Sequence, residues 1–146
     1  MQPTTASSSL TSLRMSRVRR TGTDAELRVR KACTGLGLRY RVKNPDLPGS
    51  PDLANRAKFW AIFVHGCFWH RHARCVKATT PKTNTEFWSM KFEKNVERDR
   101  RVSAALRRRG YRVLTLWQCE VEAPAILTRR LDNFVHSLQH RDRDRA

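Results

Sequence analysis

The stretch Phe59-Trp-Ala-Ile-Phe-Val64 is a continuous apolar run, and His65-Gly66-Cys67 follows it directly. A short apolar run of this length, bounded by polar residues, is typical of a strand that is buried on both faces of a sheet. We therefore predict a central strand over residues 59–64. The histidine and the cysteine that end it mark the carboxyl end of this strand as the first place to look for chemistry.

Helix and strand patterns surround this central run. Thr23 and Glu26 form a capping-box pattern that begins a first helix, and Gly35 or Gly37 would end it. Residues 38–43 alternate apolar and basic side chains, which predicts a half-buried strand. The pattern further along predicts a loop over 66–83, a basic helix from about Glu86 to Arg109, a buried strand over 111–117 and a last helix from near Pro124 to about Gln139. These elements predict a single α/β domain with a mixed central β-sheet flanked by helices.

Length and charge restrict the class of protein. The chain has 146 residues, which is enough for one domain. Its 30 Lys and Arg outnumber its 13 Asp and Glu, so the net charge is +17, and a polyanionic partner is expected. No apolar run approaches the ~20 residues of a membrane span, and the amino terminus lacks the apolar segment of a secretory signal. We expect a disordered tail over 1–13, a folded domain over 14–139 and a charged tail over 140–146.

Cysteine and histidine cluster in the predicted loop. The spacing Cys67-x4-His72-x2-Cys75 places three metal-ligand side chains within nine residues, and Cys119 follows the later buried strand. Thiolates and imidazoles are the ligands of structural zinc sites, so we predict that zinc staples this loop to the sheet. The alternative is four unlinked cysteines with ordinary histidines. Cys33 lies among apolar positions of the first helix and is interpreted as a core residue.

A carboxylate and two imidazoles point to phosphodiester chemistry. Asp52 precedes the central strand, and a carboxylate at a strand end can hold a divalent ion near a scissile phosphate. Pro-Asp is also a common turn pair, so Asp52 alone is a weak signal. His65, His70 and Asp99 strengthen it, because an imidazole moves protons near neutral pH and a carboxylate orients it.

Aromatic and basic residues admit two interpretations each. Phe68-Trp69 and Phe87-Trp88 form either a small core around the zinc or a wedge that enters a base stack. The basic side chains of the long helix either contact phosphates or form a solvated face; they include Lys91, Lys94 and Arg98. An amino-terminal basic stretch is either a solvated arm or a short helix against nucleic acid, and it contains Met15, Arg17, Val18 and Arg19.

Five ordered motifs resemble one known family. They are Asp46-Leu-Pro-Gly-Ser-Pro-Asp52, Phe63-Val-His-Gly-Cys-Phe-Trp-His-Arg-His72, Thr85-Glu-Phe-Trp88, Asn95-Val-Glu-Arg-Asp-Arg100 and Trp117-Gln-Cys119. Together they resemble the very short patch repair (Vsr) DNA mismatch endonucleases, a branch of the PD-(D/E)xK nucleases. The resemblance extends from about Met15 to about Leu138 and implies a restriction-endonuclease-like fold.

The resemblance implies an activity and a set of catalytic residues. Members of this family nick one strand of duplex DNA 5′ to the thymine of a T:G mismatch, which starts the repair of deaminated 5-methylcytosine. By resemblance, Asp52 and the backbone carbonyl of Val64 hold Mg²⁺, and His65 supports the scissile phosphate and the water ligands of the ion. His70, oriented by Asp99, serves proton transfer. Glu26 matches a family acid near the site.

The resemblance also implies a structural zinc and a set of DNA contacts. Zinc would be held by Cys67, His72, Cys75 and Cys119. Intercalation beside the mismatch would fall to Phe68, Trp69 and Trp88, while Met15 and Val18 pack in the minor groove. The expected partners are mismatched duplex DNA and downstream repair factors, with a monomeric protein in the cytoplasm at the nucleoid and no membrane contact. Two alternatives remain open: a non-catalytic zinc-stapled DNA-binding protein, and a related nuclease with a different DNA target.

Overall fold

The computed structural model of the chain describes residues 23–145, without the side chains of residues 144 and 145. Along the chain, the elements are α1 (Asp24–Gly35), β1 (Leu53–Asn55), β2 (Trp60–His65), α2 (Thr85–Arg108), β3 (Arg112–Trp117), α3 (Gln118–Val121) and α4 (Pro124–Arg145). The predicted helices and the two predicted apolar strands are all present. The expected amino-terminal tail and the residues Met15, Arg17, Val18 and Arg19 lie outside the described part.

The three strands form one mixed sheet in the order β1-β2-β3. β1 pairs with β2 in antiparallel orientation, and β2 pairs with β3 in parallel orientation from Trp60 opposite Arg112 to His65 opposite Trp117. β2 is therefore the central strand, as the apolar run predicts. The predicted α/β class, with a mixed sheet flanked by helices, is confirmed.

Helices cover both faces of this sheet. Ile62 and the leucines of β3 pack with α1 and α4 in one core, which includes Val29, Leu131 and Phe134. Ala61 and Phe63 point to the opposite face, where Leu106 of α2 closes a second core. Successive strand side chains alternate between faces, so His65 follows Phe63 to the α2 side of the sheet.

The predicted strand over residues 38–43 is wrong. Within the described residues, this segment forms one isolated bridge, in which Arg41 and Ala54 exchange two backbone hydrogen bonds of 2.8 and 3.1 Å. The buried amide of Asn44 then donates to the carbonyls of Arg41 and Pro51, at 2.8 and 3.1 Å. Pro51 has no N–H to continue a ladder, so the alternating pattern does not become a strand.

The helix ends agree with the sequence signals, with two differences. Thr23 Oγ1 accepts a hydrogen bond from the N–H of Glu26 at 3.2 Å, which confirms the predicted cap of α1. α4 continues beyond Gln139 to Arg145, and the Arg141 guanidinium donates to the carbonyls of Phe59 (2.7 Å) and Lys58. The unpredicted α3 forms because Glu120 Oε1 accepts from the N–H of Trp117 at 3.1 Å.

The Pro48-Gly49 turn lies directly against α2. Gly49 has a φ of +71°, and a Cβ atom there would lie 2.3 Å from Cγ1 of Val102. Both the left-handed backbone and the close approach require glycine. This contact holds the chain that leads into Asp52 against the second core.

Candidate active site and metal centre

Asp52 is bonded to the central strand. Its Oδ2 atom accepts a hydrogen bond from the N–H of Val64 at 2.6 Å. Burial raises the pKa of Asp52 to about 7; the hydrogen bond from Val64 lowers it, and the adjacent carboxylate of Glu26 raises it further. Glu26 is itself buried, at 4% exposure, on the first turn of α1. A half-buried and a buried carboxyl group thus lie close together beside β2.

The carbonyl of Val64 faces the same side as this carboxyl pair. The N–H and C=O groups of one strand residue point toward the same neighbour. The N–H of Val64 points to Asp52, and the pairing of β1 with β2 ends at Ile62. A carboxylate and a backbone carbonyl are therefore placed side by side, and oxygen ligands of this kind suit Mg²⁺.

His65, His70 and Asp99 form a second group at the same end of β2. The ring centres of His65 and His70 lie 3.8 Å apart with nearly parallel planes. His70 Nδ1 lies 2.6 Å from Asp99 Oδ2, which comes from the middle of α2. The possible ligand atoms of these three residues lie within 4.8 Å of one another. The charge of His70 also lowers the pKa of Asp52, so the two groups belong to one site.

His65 is a neutral imidazole at physiological pH. Burial lowers its pKa to about 4, and the charges of His70 and Arg98 lower it further, although Asp99 acts in the opposite direction. A neutral imidazole has one N–H donor and one acceptor nitrogen. His65 can therefore donate a hydrogen bond to an anionic group without carrying charge into the site.

Four sulfur and nitrogen ligands converge in the loop after β2. The ligand atoms of Cys67, His72, Cys75 and Cys119 lie within 4.8 Å of one another. His72 Nδ1 is 3.7 Å from the sulfur of Cys67 and 3.4 Å from the sulfur of Cys119. A tetrahedral zinc ion would hold a sulfur and a nitrogen ligand about 3.6 Å apart. The donor set and its spacing therefore fit zinc.

The thiols of this cluster have divergent acidities. A hydrogen bond from the backbone of Lys77 lowers the pKa of Cys75 to about 7. Burial and the neighbouring thiols raise the pKa of Cys119 to about 12, and burial also raises that of Cys67. Thiolates this close together repel one another, and a divalent cation would remove that repulsion by pairing with them. Cys33 lies apart in the core of α1, where burial raises its pKa to about 11.

Trp117 joins the cysteine cluster to the histidine group. Its ring stacks on His72 with centres 4.3 Å apart and contacts His65 edge-on at 5.4 Å. His65 and Trp117 are also paired across β2 and β3. Trp117 therefore packs between the loop residue His72 and the histidine at the end of the central strand.

Five aromatic rings cluster on the amino-terminal part of α2. Phe68, Trp69, Phe87 and Phe92 all contact Trp88, with ring centres 5.3 to 6.0 Å away. Trp88 is 2% exposed and lies inside the cluster, while Phe87 is 53% exposed. In the described residues these rings therefore form a small core, which was the first of the two interpretations, and not an exposed wedge. Intercalation by Phe68, Trp69 and Trp88 stays a prediction, and for Trp88 it requires the cluster to open.

Basic residues border the aromatic cluster. Lys91 Nζ lies 4.9 Å from the centre of the Trp69 ring, and Lys94 is exposed one turn further along α2. Arg98, also exposed, lies close enough to His65 to affect its pKa. Phosphate contact by these side chains stays a prediction, and Arg17 and Arg19 lie outside the described residues.

Arg71 organises the loop and was missed by the sequence analysis. Its guanidinium donates to the carbonyls of Thr79 and Ala78 at 2.8 and 3.1 Å and to Thr80 Oγ1 at 2.9 Å. The same group lies 4.1 Å from the centre of the Phe92 ring. A single arginine between two histidines carries no sequence signal of this role, because most of its partners are backbone carbonyls of the same loop, which any residue type supplies.

The chain is similar to known DNA-cleaving proteins. The family model described as "DNA mismatch endonuclease Vsr" matches residues 6–77. The type II nicking enzyme V.XorIIP of Xanthomonas oryzae pv. oryzae is 41% identical over 121 residues, covering 83% of this chain and 88% of that protein. The DNA mismatch endonuclease Vsr of Escherichia coli K12 is 42% identical over 118 residues, covering 77% and 75%. The type II nicking enzyme V.NmeAIP of Neisseria meningitidis is 38% identical over 117 residues, covering 80% and 83%.

Proposed function

The chain belongs to the Vsr family of DNA mismatch endonucleases, and on that premise we propose that it nicks duplex DNA 5′ to the thymine of a T:G mismatch in a Mg²⁺-dependent reaction. Endonuclease activity follows from family membership, and it removes the alternative of a non-catalytic binding protein. The mismatch and the metal are the proposal. The observation that supports it most is the meeting of Asp52, the His65–His70 pair and Asp99 at one end of β2.

Asp52 and the carbonyl of Val64 are proposed to hold the magnesium ion, with Glu26 beside them. Two adjacent carboxylates with restricted access to water repel each other, a cation relieves that repulsion, and hard oxygen ligands are those that Mg²⁺ selects. When bound, Mg²⁺ supplies Lewis-acid stabilisation of the scissile phosphate and a more acidic water. The raised pKa of Asp52 makes binding of the cation compete with binding of a proton.

His70 is proposed to move the proton. Its Nδ1 atom faces Asp99, so the hydrogen on Nδ1 is donated to the carboxylate and Nε2 is left as the acceptor. Nε2 takes a proton from the attacking water, and Asp99 stabilises the imidazolium that results. His65, neutral and stacked against His70, donates a hydrogen bond to a phosphate oxygen.

The zinc cluster and the aromatic cluster are proposed to present the DNA-contacting side chains. Zinc held by Cys67, His72, Cys75 and Cys119 fixes the loop that carries Phe68 and Trp69. Apolar rings that enter a base stack discriminate the more easily unstacked mismatch. The net charge of +17 favours duplex binding without reading sequence.

The proposed biological role is the first step of very short patch repair. A single mismatch has no two-fold symmetry, so a monomer is proposed as the acting species, with repair factors acting on the nick. Location at the nucleoid stays a prediction. Among the described residues, none of the helices has the length and apolar character of a membrane span. A related target remains the second candidate, because two of the relatives are named type II nicking enzymes rather than mismatch endonucleases.

A strand-resolved nicking assay tests the proposal. Duplexes with one T:G mismatch in a methylated-cytosine context are labelled on each strand and incubated with Mg²⁺, beside T:A and C:G duplexes of the same flanks. We expect one nick, 5′ to the mismatched thymine, and no nick by Asp52→Asn protein that binds the duplex normally. Nicking of matched duplexes at equal rate would replace the mismatch with a different target, and normal nicking by Asp52→Asn would remove Asp52 from the metal site.

A further inference from the structure

Two histidines on α4 form a pair far along the chain from the clusters described above. His136 and His140 are four residues apart, so they lie one turn apart on the same face of the helix. Their Nε2 atoms are 2.9 Å apart, and both side chains are exposed. Neither residue belongs to the cysteine cluster or to the His65–His70 site.

The arrangement of the two rings differs from that of a simple hydrogen bond. A straight N–H···N hydrogen bond would hold the ring centres roughly 5 Å apart. Here the centres are only 4.4 Å apart, and the ring planes are inclined at 74°. The two ring axes therefore meet at an angle and not in one line, although the Nε2 atoms lie within hydrogen-bond distance of each other. With both Nε2 atoms unprotonated, two imidazoles that approach at an angle can bind one ion between them.

The separation of the nitrogens indicates which ions would fit. Nitrogen-to-metal bonds near 2.0–2.1 Å and a nitrogen separation of 2.9 Å give an N–metal–N angle of about 90°. This angle suits neighbouring positions of a square-planar or octahedral ion, and it is smaller than the tetrahedral angle that structural zinc prefers. Cu²⁺ and Ni²⁺ have such tetragonal geometry, and imidazole suits both.

We propose that His136 and His140 form a surface binding site for a divalent transition-metal ion of tetragonal preference, Cu²⁺ or Ni²⁺. Water would complete the coordination shell, because the pair is exposed. Asp132 lies one turn before His136 on the same face and contributes negative charge. The nearest arginine along the helix, Arg141, is directed to the carbonyls of Phe59 and Gly110 instead. The site is independent of the proposed nuclease function.

A copper titration of the full-length, zinc-loaded protein tests the site. Binding is measured by calorimetry, and the bound Cu²⁺ is examined by electron paramagnetic resonance for coupling to two nitrogens. The double variant His136→Gln, His140→Gln removes both ligands and keeps good helix formers. Any copper held by His65 and His70 is common to both proteins, so the difference between the two titrations reports the α4 site alone.

A relocated pair provides the matched control. The variant Asn133→His, His136→Gln keeps the number of histidines but places them seven residues apart, about 10 Å along the helix. One ion cannot bridge that distance, so we expect an affinity about 10²-fold lower than that of the natural pair, because the second ligand no longer acts within the same site.

The outcomes separate cleanly. The proposal expects one more copper equivalent in the natural protein than in the double variant. After the spectrum of the double variant is subtracted, the natural protein should keep a two-nitrogen signal and the relocated variant should not. The nicking rate should be unchanged in both variants. Equal copper stoichiometry in the natural protein and the double variant would overturn it, as would equal affinity in the relocated variant.

Discussion

The Nδ1 atom of His70 lies 2.6 Å from Oδ2 of Asp99, across a separation of 29 residues along the chain. This contact joins the turn after β2 to the middle of α2. It selects the orientation of the imidazole before any DNA is bound.

Substitution of Asp99 by Asn should therefore impair proton transfer while leaving DNA binding intact. We expect the single-turnover nicking rate to fall by about 10²- to 10⁴-fold, with a dissociation constant for mismatched duplex within about threefold of the natural value. Glu97→Gln is the matched control, because Glu97 is an exposed acid on the same helix. A rate for Asp99→Asn equal to that of the control would assign proton transfer to another residue.

Asp52 should make the stability of the metal-free protein depend on pH. The folded-state pKa of about 7 is above the ordinary aspartate value of 3.8, so the folded protein binds this proton more tightly than the unfolded chain does. Its stabilising contribution is complete below pH 3.8 and is lost as the pH rises through 7. Asp52→Asn removes that loss, so the variant should be the more stable protein at pH 8.5, by an amount on the order of 3 kcal/mol.

Urea unfolding in Mg²⁺-free buffer at pH 5 and pH 8.5 measures this difference. Addition of Mg²⁺ at pH 8.5 should stabilise the natural protein and not the variant, because only the natural protein retains the carboxylate. Asp24→Asn, at an exposed position of α1, controls for a general effect of removing one charge. Parallel pH dependence in Asp52→Asn and natural protein would assign the titration to other groups.

The cysteine cluster should retain one zinc ion per chain through purification without added metal. Elemental analysis gives the stoichiometry, and Cys119→Ser should lower it well below one. Strong chelation should expose three reactive thiols and lower the midpoint of thermal unfolding. The Cys33→Ala variant is the control and should keep one zinc ion per chain, because Cys33 is buried in the hydrophobic core with Val29, away from the cysteine cluster. Full zinc retention by Cys119→Ser would exclude that residue as a ligand.

The aromatic cluster should divide into a supporting ring and DNA-facing rings. Trp88→Ala removes a ring that is 2% exposed and should destabilise the fold by about 3–5 kcal/mol. Trp69→Ala should cost less stability but reduce the preference for mismatched over matched duplex. Thermal unfolding and duplex-binding titrations measure the two effects, and Phe87→Ala, at a half-exposed position, serves as the control for stability. Equal losses of matched and mismatched binding in Trp69→Ala would contradict a wedge.

The predictable parts of the fold were those with strong local signals. The apolar run 59–64 predicted the buried strand β2, although the strand extends from Trp60 to His65 and Phe59 lies in the preceding turn with a φ of +56°. The Thr23 cap could be recognised because its partner Glu26 is three residues away. In the part of the chain that the structure describes, residues 38–43 pair with the sheet only through the Arg41–Ala54 bridge. Their alternation carried no information about the buried Asn44 amide just after them, which binds the carbonyls of Arg41 and Pro51. Side-chain alternation alone does not specify a strand, because strand pairing depends on the tertiary surroundings of the segment.

In the candidate site, too, features with a local sequence signal could be predicted and features set by tertiary contacts could not. Ligand types and spacing predicted that Cys67, His72, Cys75 and Cys119 would converge, and they do. The burial of Trp88 and the role of Arg71 could not be predicted, because both depend on which distant surfaces meet when the loop folds over α2. Exposure of a given ring within an aromatic cluster is a tertiary property.

The parallel pairing of β2 with β3 has a consequence for how the chain folds. The two strands are joined by a crossover of about fifty residues. Cys67 follows the carboxyl end of β2, and Cys119 follows the carboxyl end of β3. An ion that joins them closes this long loop. Unlike a disulfide, the ion would be released when the chain unfolds, so it would stabilise the fold by the free energy with which the folded chain binds it. In a cell short of zinc, a smaller fraction of this enzyme would therefore be folded, and less of it could cut DNA.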